Sequence, residues 1–283
     1  MIFMNVLWRT CPLKSKRTAG FELPPTQIVI GSIGTMSKKE SDFSTDSAWE
    51  EWGRRDPYFG VITHPKFRLA DMTEQSRREF FDSGVAHVDY LMRTIRQYVD
   101  PAFVPKRVLD FGCGVGRTLI PFAKIAQRVV GVDVSVAMLE ESRKNCEARQ
   151  LTNVSLVSSD DKLSSATGAF DLVHSFIVFQ HIPLERGRVL FRNLLSRIAP
   201  GGAAAIHVLY SKDKYADSYG IAPMDVPAES HRASNSSSPE MQMNPYNVNE
   251  LLFSMQKESI LRLHTEFTDH EGELGAFIFF QKS

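Results

Sequence analysis

The residues best suited to chemistry in this sequence fall in one short run and one position beyond it. Val108-Leu109-Asp110-Phe111-Gly112-Cys113-Gly114-Val115-Gly116-Arg117 sets three alternate glycines just after an acid. Glycines between a strand and a helix let the backbone turn tightly, and let a ligand lie against main chain with no Cβ in the way. Seventeen positions beyond Gly116, Asp133 closes a second apolar run, Val129-Val130-Gly131-Val132. An acid at that strand tip accepts hydrogen bonds from both hydroxyls of a ribose. A dinucleotide loop reads G-x-G-x-x-G/A. Here the spacing is G-x-G-x-G, and Arg117 stands where the third small residue belongs. Asp110 at the mouth of the loop repels a pyrophosphate and suits a cationic group such as the ammonium of an amino acid. The run favours a ligand with a ribose and an amino-acid end.

The histidines are the next candidates. His181 follows a strand-like run, and with an unperturbed pKa near 6.5 it can serve as base for a hydroxyl acceptor. Its plainer readings are a helix cap or a residue that only shapes the pocket. His270, in Thr268-Asp269-His270-Glu271-Gly272, either reaches over the site or is a polar turn residue. His207 and His174 fall inside strand runs, and His174 reads as a satisfied core histidine. Cys113 reads as packing, since no base neighbours it. Tyr58 and Phe59 fit a lid or, preferably, a small apolar cluster. Trp49 and Trp52 read as packing, and Arg54, Arg55 and Arg68 as solvated surface.

Around these residues strand and helix patterns alternate. An amphipathic helix spans about 84–99, with Val85, Val88, Leu91, Met92, Ile95 and Tyr98 at helical spacing. Strand runs follow at 107–110, 128–132, 154–157, 170–174 and 203–210, with helical stretches at 117–126, 136–150 and 184–198 between them. Such alternation means βαβ units and a parallel sheet covered on both faces. Residues 211–247 break the rhythm and include Ser-Asn-Ser-Ser-Ser-Pro from Ser234. A loop of that length in a compact domain is usually functional or disordered. A helix over 248–257 and two strands, 260–267 and 275–281, close the sequence as an antiparallel edge pair.

Composition excludes several classes. The chain has 283 residues, 43% hydrophobic and 23% charged, with 33 basic against 33 acidic side chains. That neutral balance disfavours nucleic acid as the partner, because such a grip needs clustered positive charge. No apolar run reaches the roughly 20 residues that span a bilayer, so no membrane partner is expected. Cys11, Cys113 and Cys146 form no C-x-x-C pair, which argues against a disulfide framework or a zinc site and for a reduced, cytoplasmic setting. No metal is expected. Residues 1–40 mix Trp8, Lys14, Lys16 and Pro24-Pro25 without periodicity and read as a poorly ordered extension; Met36 is an alternative natural start.

With D-x-G-x-G-x-G followed by an acid closing the second strand, the sequence resembles the class I S-adenosylmethionine-dependent methyltransferases. The resemblance continues through Ser135-Val136-Ala137-Met138-Leu139, Val157-Ser158-Ser159-Asp160, Phe170-Asp171-Leu172-Val173, Phe179-Gln180-His181-Ile182-Pro183 and Ile198-Ala199-Pro200-Gly201-Gly202. It covers about 107–210 in order and spacing. It implies a Rossmann-like α/β fold: a seven-stranded, mostly parallel sheet of order 3-2-1-4-5-7-6, strand seven antiparallel, helices on both faces. The domain would span 101–283, with a helical cap at 41–100 and a substrate-side insertion at 211–247.

The resemblance also implies the cofactor S-adenosyl-L-methionine, released as S-adenosyl-L-homocysteine. Its site would comprise Asp110, Gly112, Cys113, Gly114, Gly116, Arg117, Asp133, Val134, Met138, Asp160, with Asp161 as substitute, and Phe176. Asp110 and the loop glycines would hold the methionyl end, Asp133 the ribose, Met138 and Asp160 the adenine, with His181 and His270 as the catalytic candidates. Amino-group methyltransferases of nucleic-acid bases often carry Asn/Asp-Pro-Pro-Tyr after strand four; that position reads Ser175-Phe176-Ile177-Val178, and Asn244-Pro245-Tyr246 lies far along the sequence. The expected activity is O-methylation of a small molecule. The alternatives are an N- or C-methyltransferase acting on a small molecule, protein or RNA, a cofactor-binding module without catalysis, and a nicotinamide-dependent dehydrogenase.

Overall fold

Five parallel strands form the centre of the molecule: β1 (Arg107–Phe111), β2 (Arg128–Asp133), β3 (Val154–Ser158), β4 (Phe170–Ser175) and β5 (Ile198–Lys212). A two-stranded ribbon, β6 (Glu229–His231) with β7 (Met241–Met243), lies outside the main sheet. The last strands, β8 (Leu263–His270) and β9 (Glu273–Gln281), complete the sheet order β3-β2-β1-β4-β5-β9-β8. Numbered within the sheet alone, this is the expected 3-2-1-4-5-7-6, and its seventh strand, β9, runs antiparallel to β5. This computed structural model describes residues 40–213, 229–231, 239 and 241–283. The expected disordered extension and the question of Met36 lie outside the described residues, as does most of the 211–247 insertion.

Alternation along the strands sorts side chains onto two faces. Val108, Val129, Leu172, Ala203, Ala205, Phe277 and Phe279 pack on one face, and Leu109, Val130, Val173, Ala204, Ile206, Ile278 and Phe280 on the other. Asp110, His174 and His207 each lie two residues along their strand from a member of the first set (Val108, Leu172 and Ala205), so three polar side chains enter that layer. The layer is covered by α3 (Glu74–Tyr98), with α1 (Glu40–Arg55) and α2 (Pro57–Val61) nearby. Sequence order reverses between β1 and β4, which opens a crevice at the carboxyl ends of the strands.

The boundaries differ from expectation for local reasons. α3 starts ten residues before the expected 84, because Thr73 and Ser76 form a reciprocal capping box and Phe80 and Phe81 extend the buried stripe among charged neighbours. α4 (Leu119–Ile125) starts two residues after the expected 117, with Thr118 as its N-cap and the Thr118 hydroxyl given to Asp110 instead of to the helix. The final hairpin turns at Glu271-Gly272, both at positive φ (56° and 89°), which pairs His270 with Glu273. No helix among the described residues is long and apolar enough to cross a membrane.

Candidate active site

The glycine loop closes β1 over β2. Gly112 has φ +74°, and a Cβ there would lie 2.3 Å from Val178, in the segment after β4. Gly114, at φ +49°, donates its amide to Asp133 Oδ2 at 2.8 Å, and the Ser135 amide reaches Asp133 Oδ1 at 2.9 Å. Burial pushes the Asp133 carboxyl up to about 6, against the opposing pull of the Ser135 and Gly114 amides. Ser135 also caps α5 (Val136–Glu147) through Met138 N, and Glu50 of α1 accepts from Ser135 Oγ and Ala137 N. The first described helix is thereby fastened beside Asp133.

Asp110, 1% exposed, accepts from Thr118 Oγ1 at 2.8 Å and from His174 Nδ1 at 2.7 Å. His174 Nε2 lies 3.0 Å from His87 Nε2 on α3, so one ring donates and the other accepts. Burial, then the neighbouring His174, pushes His87 down to about 2, and it stays neutral. A buried line from Asp110 through His174 to His87 thus crosses from β1 through β4 to α3. His174 is satisfied, as expected, but its partner is the loop acid.

A cavity of about 810 Å³ extends across the strand tips. Asp133, Val134, Met138 and Ser159 line it over β2; Asp110, Gly112, Cys113, Gly114 and Arg117 over β1; Phe176, Ile177, Gln180 and His181 beyond β4; Leu209, Met241, Met243, His270 and Glu273 at its far end. Trp49 and Ile62 come from the N-terminal helical segment, so Trp49 is not simple packing, whereas Trp52 is. Ile177 holds φ +57°, a strained conformation for a β-branched residue, beside the cavity. Cys113 points its sulfur against Gly131, and burial raises its thiol far above the usual range. Arg117 is half-buried, with a hydrogen bond to Ser83 Oγ at 3.5 Å.

Three expected cofactor residues stand outside this cavity. Gly116 supports the loop from behind, where a Cβ would meet Ser142 Oγ at 2.9 Å. Asp160 is exposed and turns back to accept the Ser164 amide at 2.8 Å. Asp161 accepts from Arg186 Nε at 2.6 Å, and Arg186 also holds Asp46 of α1. Ser159 lines the cavity where Asp160 was expected. Tyr58 is no lid: it is fully buried against Phe80 and Phe81 and bonds Glu141 and Arg77. Arg54, Arg55 and Arg68 pair with Glu50, Glu51 and Asp56.

His181 Nδ1 lies 2.8 Å from the Gln242 carbonyl. A carbonyl only accepts, so Nδ1 carries the proton and neutral His181 presents Nε2 as an acceptor. Burial pushes His181 down to about 4, so it is neutral at pH 7. The segment holding it is strapped from the far side of the insertion. Asn244 donates its amide and Nδ2 to Gln180 O at 2.7 and 3.0 Å, and Tyr246 Oη donates to Ile182 O at 2.8 Å. Asn244-Pro245-Tyr246, distant from strand four in sequence, is therefore adjacent to its end in space. His270 is exposed at the rim, its ring 5.9 Å from that of His207.

A parallel sheet with this order, a glycine loop at its switch point and acids at two adjacent strand tips define the class I methyltransferase architecture. Residues 108–202 match the family model described as a methyltransferase domain. The chain is 30% identical over 129 residues to the 23S rRNA (uracil(1939)-C(5))-methyltransferase RlmD of a Marinomonas species, covering 40% of this chain and 29% of that protein. It is 31% identical over 141 residues to the ubiquinone biosynthesis O-methyltransferase of Coxiella burnetii, covering 48% of this chain and 59% of that protein. The chain thus spans less than two thirds of the length of either. Its fold is shared with magnesium protoporphyrin IX methyltransferase (ChlM) from Synechocystis PCC 6803, solved with S-adenosylhomocysteine, at TM-score 0.55 and 16% identity over 86% of this chain and 97% of that one. The chain thus carries a methyltransferase-domain match over 108–202 and shares the fold of methyltransferases solved with S-adenosylhomocysteine.

Proposed function

We propose that this protein transfers a methyl group from S-adenosylmethionine to a hydroxyl of a small molecule. The observation that supports this reading best is one continuous cavity lined both by the two strand-tip carboxylates and by His181, whose Nε2 is left as an acceptor. The residues present fit the cofactor. Asp133, already aligned by two backbone amides, has lone pairs left for a ribose diol. Asp110 is held in place by Thr118 and His174 and supplies negative potential for an ammonium group. Met138 and Val134 offer apolar contact to an adenine, and the glycine backbone leaves room between. Asp160 and Asp161 are not assigned to the adenine, since each is committed elsewhere.

S-adenosylmethionine supplies a methyl group on a positively charged sulfur. The chain supplies orientation: the acceptor must approach in line, and fixing it there lowers the barrier by removing motional freedom. His181, neutral at pH 7, accepts the hydroxyl proton at Nε2 while the Gln242 carbonyl keeps its ring turned. His270 stands at the rim and is assigned to acceptor contact rather than proton transfer. The test is turnover of S-adenosylmethionine to S-adenosylhomocysteine by the full chain with a panel of phenols and alcohols, with S-adenosylhomocysteine binding measured in parallel. Absence of that binding would refute the reading.

A further inference from the structure

The parts of the cavity differ in chemistry, and the lining around His181 restricts what the enzyme can methylate; this deepens the reading above and rests on it. Around His181 the cavity is lined by Trp49, whose ring lies 5.0 Å from the imidazole, and by Ile62, Leu209, Met241 and Met243, an apolar surface with two pliable thioethers. Gln180 lines the same cavity at 6% exposure, and its Oε1 has no hydrogen-bond partner among the described residues. A buried, unpaired carbonyl oxygen favours a ligand that donates a hydrogen bond.

Charge points the same way. Asp269 and Glu271 are exposed acids on the cavity lining, and Glu273 lines it paired with Lys212 at 3.2 Å. The guanidinium groups among the described lining residues are Arg117, half-buried with a contact to Ser83 Oγ at 3.5 Å, and Arg186, held between Asp46 and Asp161, so the acids of the lining outnumber them. We infer that the acceptor is an apolar molecule, uncharged or cationic, whose hydroxyl or amine hydrogen meets His181 Nε2 and Gln180 Oε1, and that carboxylates and phosphates are rejected.

Three probes on one ring system test this: naphthol, naphthylmethylammonium and naphthoate, titrated into the full chain saturated with S-adenosylhomocysteine. Naphthoate should bind at least about tenfold more weakly than the other two, from like-charge repulsion at the rim. The gap should narrow with added salt and in the exposed double variant Asp269→Asn, Glu271→Gln. Met241→Lys should raise naphthoate affinity relative to naphthol. Equal or tighter binding of naphthoate overturns the inference, and so does failure of all three probes while S-adenosylhomocysteine binds. Failure to bind S-adenosylhomocysteine overturns the underlying function instead.

Discussion

His174 donates Nδ1–H to Asp110 Oδ1 at 2.7 Å, and the two residues are register partners on adjacent parallel strands. A strand-four histidine therefore holds the acid at the mouth of the glycine loop, backed by His87. His174→Phe keeps the volume and removes the donor. Cofactor affinity should fall by about 1–3 kcal/mol, the cost of leaving a buried acceptor short of one partner. Calorimetric titration with S-adenosylhomocysteine measures it; affinity within error of the parent would remove His174 from the site.

His181→Ala should lower kcat by about 10²–10⁴-fold if the ring takes the acceptor proton. S-adenosylhomocysteine affinity should change little, because the groups proposed to hold the cofactor are Asp110, Asp133, Met138 and the loop backbone. A fall in cofactor affinity with kcat preserved would assign the ring to pocket shape alone.

Tyr246→Phe removes only the hydrogen bond to Ile182 O from the strap behind His181. The loss should be about 1 kcal/mol of stability in urea unfolding. kcat should fall while the KM for cofactor holds. An unchanged kcat would separate the strap from catalysis.

Three buried histidines make stability depend on acid. Burial holds His87, His181 and His207 down to about 2, 4 and 3, against 6.5 unfolded. Their contribution is therefore complete above pH 6.5 and is lost as pH falls, because the unfolded chain takes up protons first. At pH 5.5 the three together cost about 4 kcal/mol. Asp133 has the opposite sign: with its pKa raised from 3.8 to about 6, it binds protons in the folded state and returns about 1 kcal/mol at that pH. Urea unfolding at pH 7.5 and 5.5 should show a net loss near 3 kcal/mol; equal stability at both would contradict the neutral buried rings.

The sheet and both strand-tip acids were legible because parallel buried strands leave near-continuous apolar runs, and a glycine loop must follow the first of them. Local spacing could not place Asp160: a one-residue turn after β3 decides whether Asp160 or Ser159 faces the cavity, and the Ser164 amide captures Asp160. His174 carried a readable signal, a lone histidine in an apolar strand whose neighbour holds a lone acid. Asn244 and Tyr246 carried none, since their partners are the carbonyls of Gln180 and Ile182, more than sixty residues away, and main chain leaves no mark in sequence.

The central claim is that Asp110 and Asp133 jointly hold the cofactor at neighbouring strand tips. Isothermal titration of S-adenosylhomocysteine into the parent chain and into Asp133→Ala tests it most directly. One site per chain is expected, weakened by about 1–3 kcal/mol in the variant as ribose hydroxyls lose their acceptor. No binding to the parent, or equal affinity in both, would contradict it.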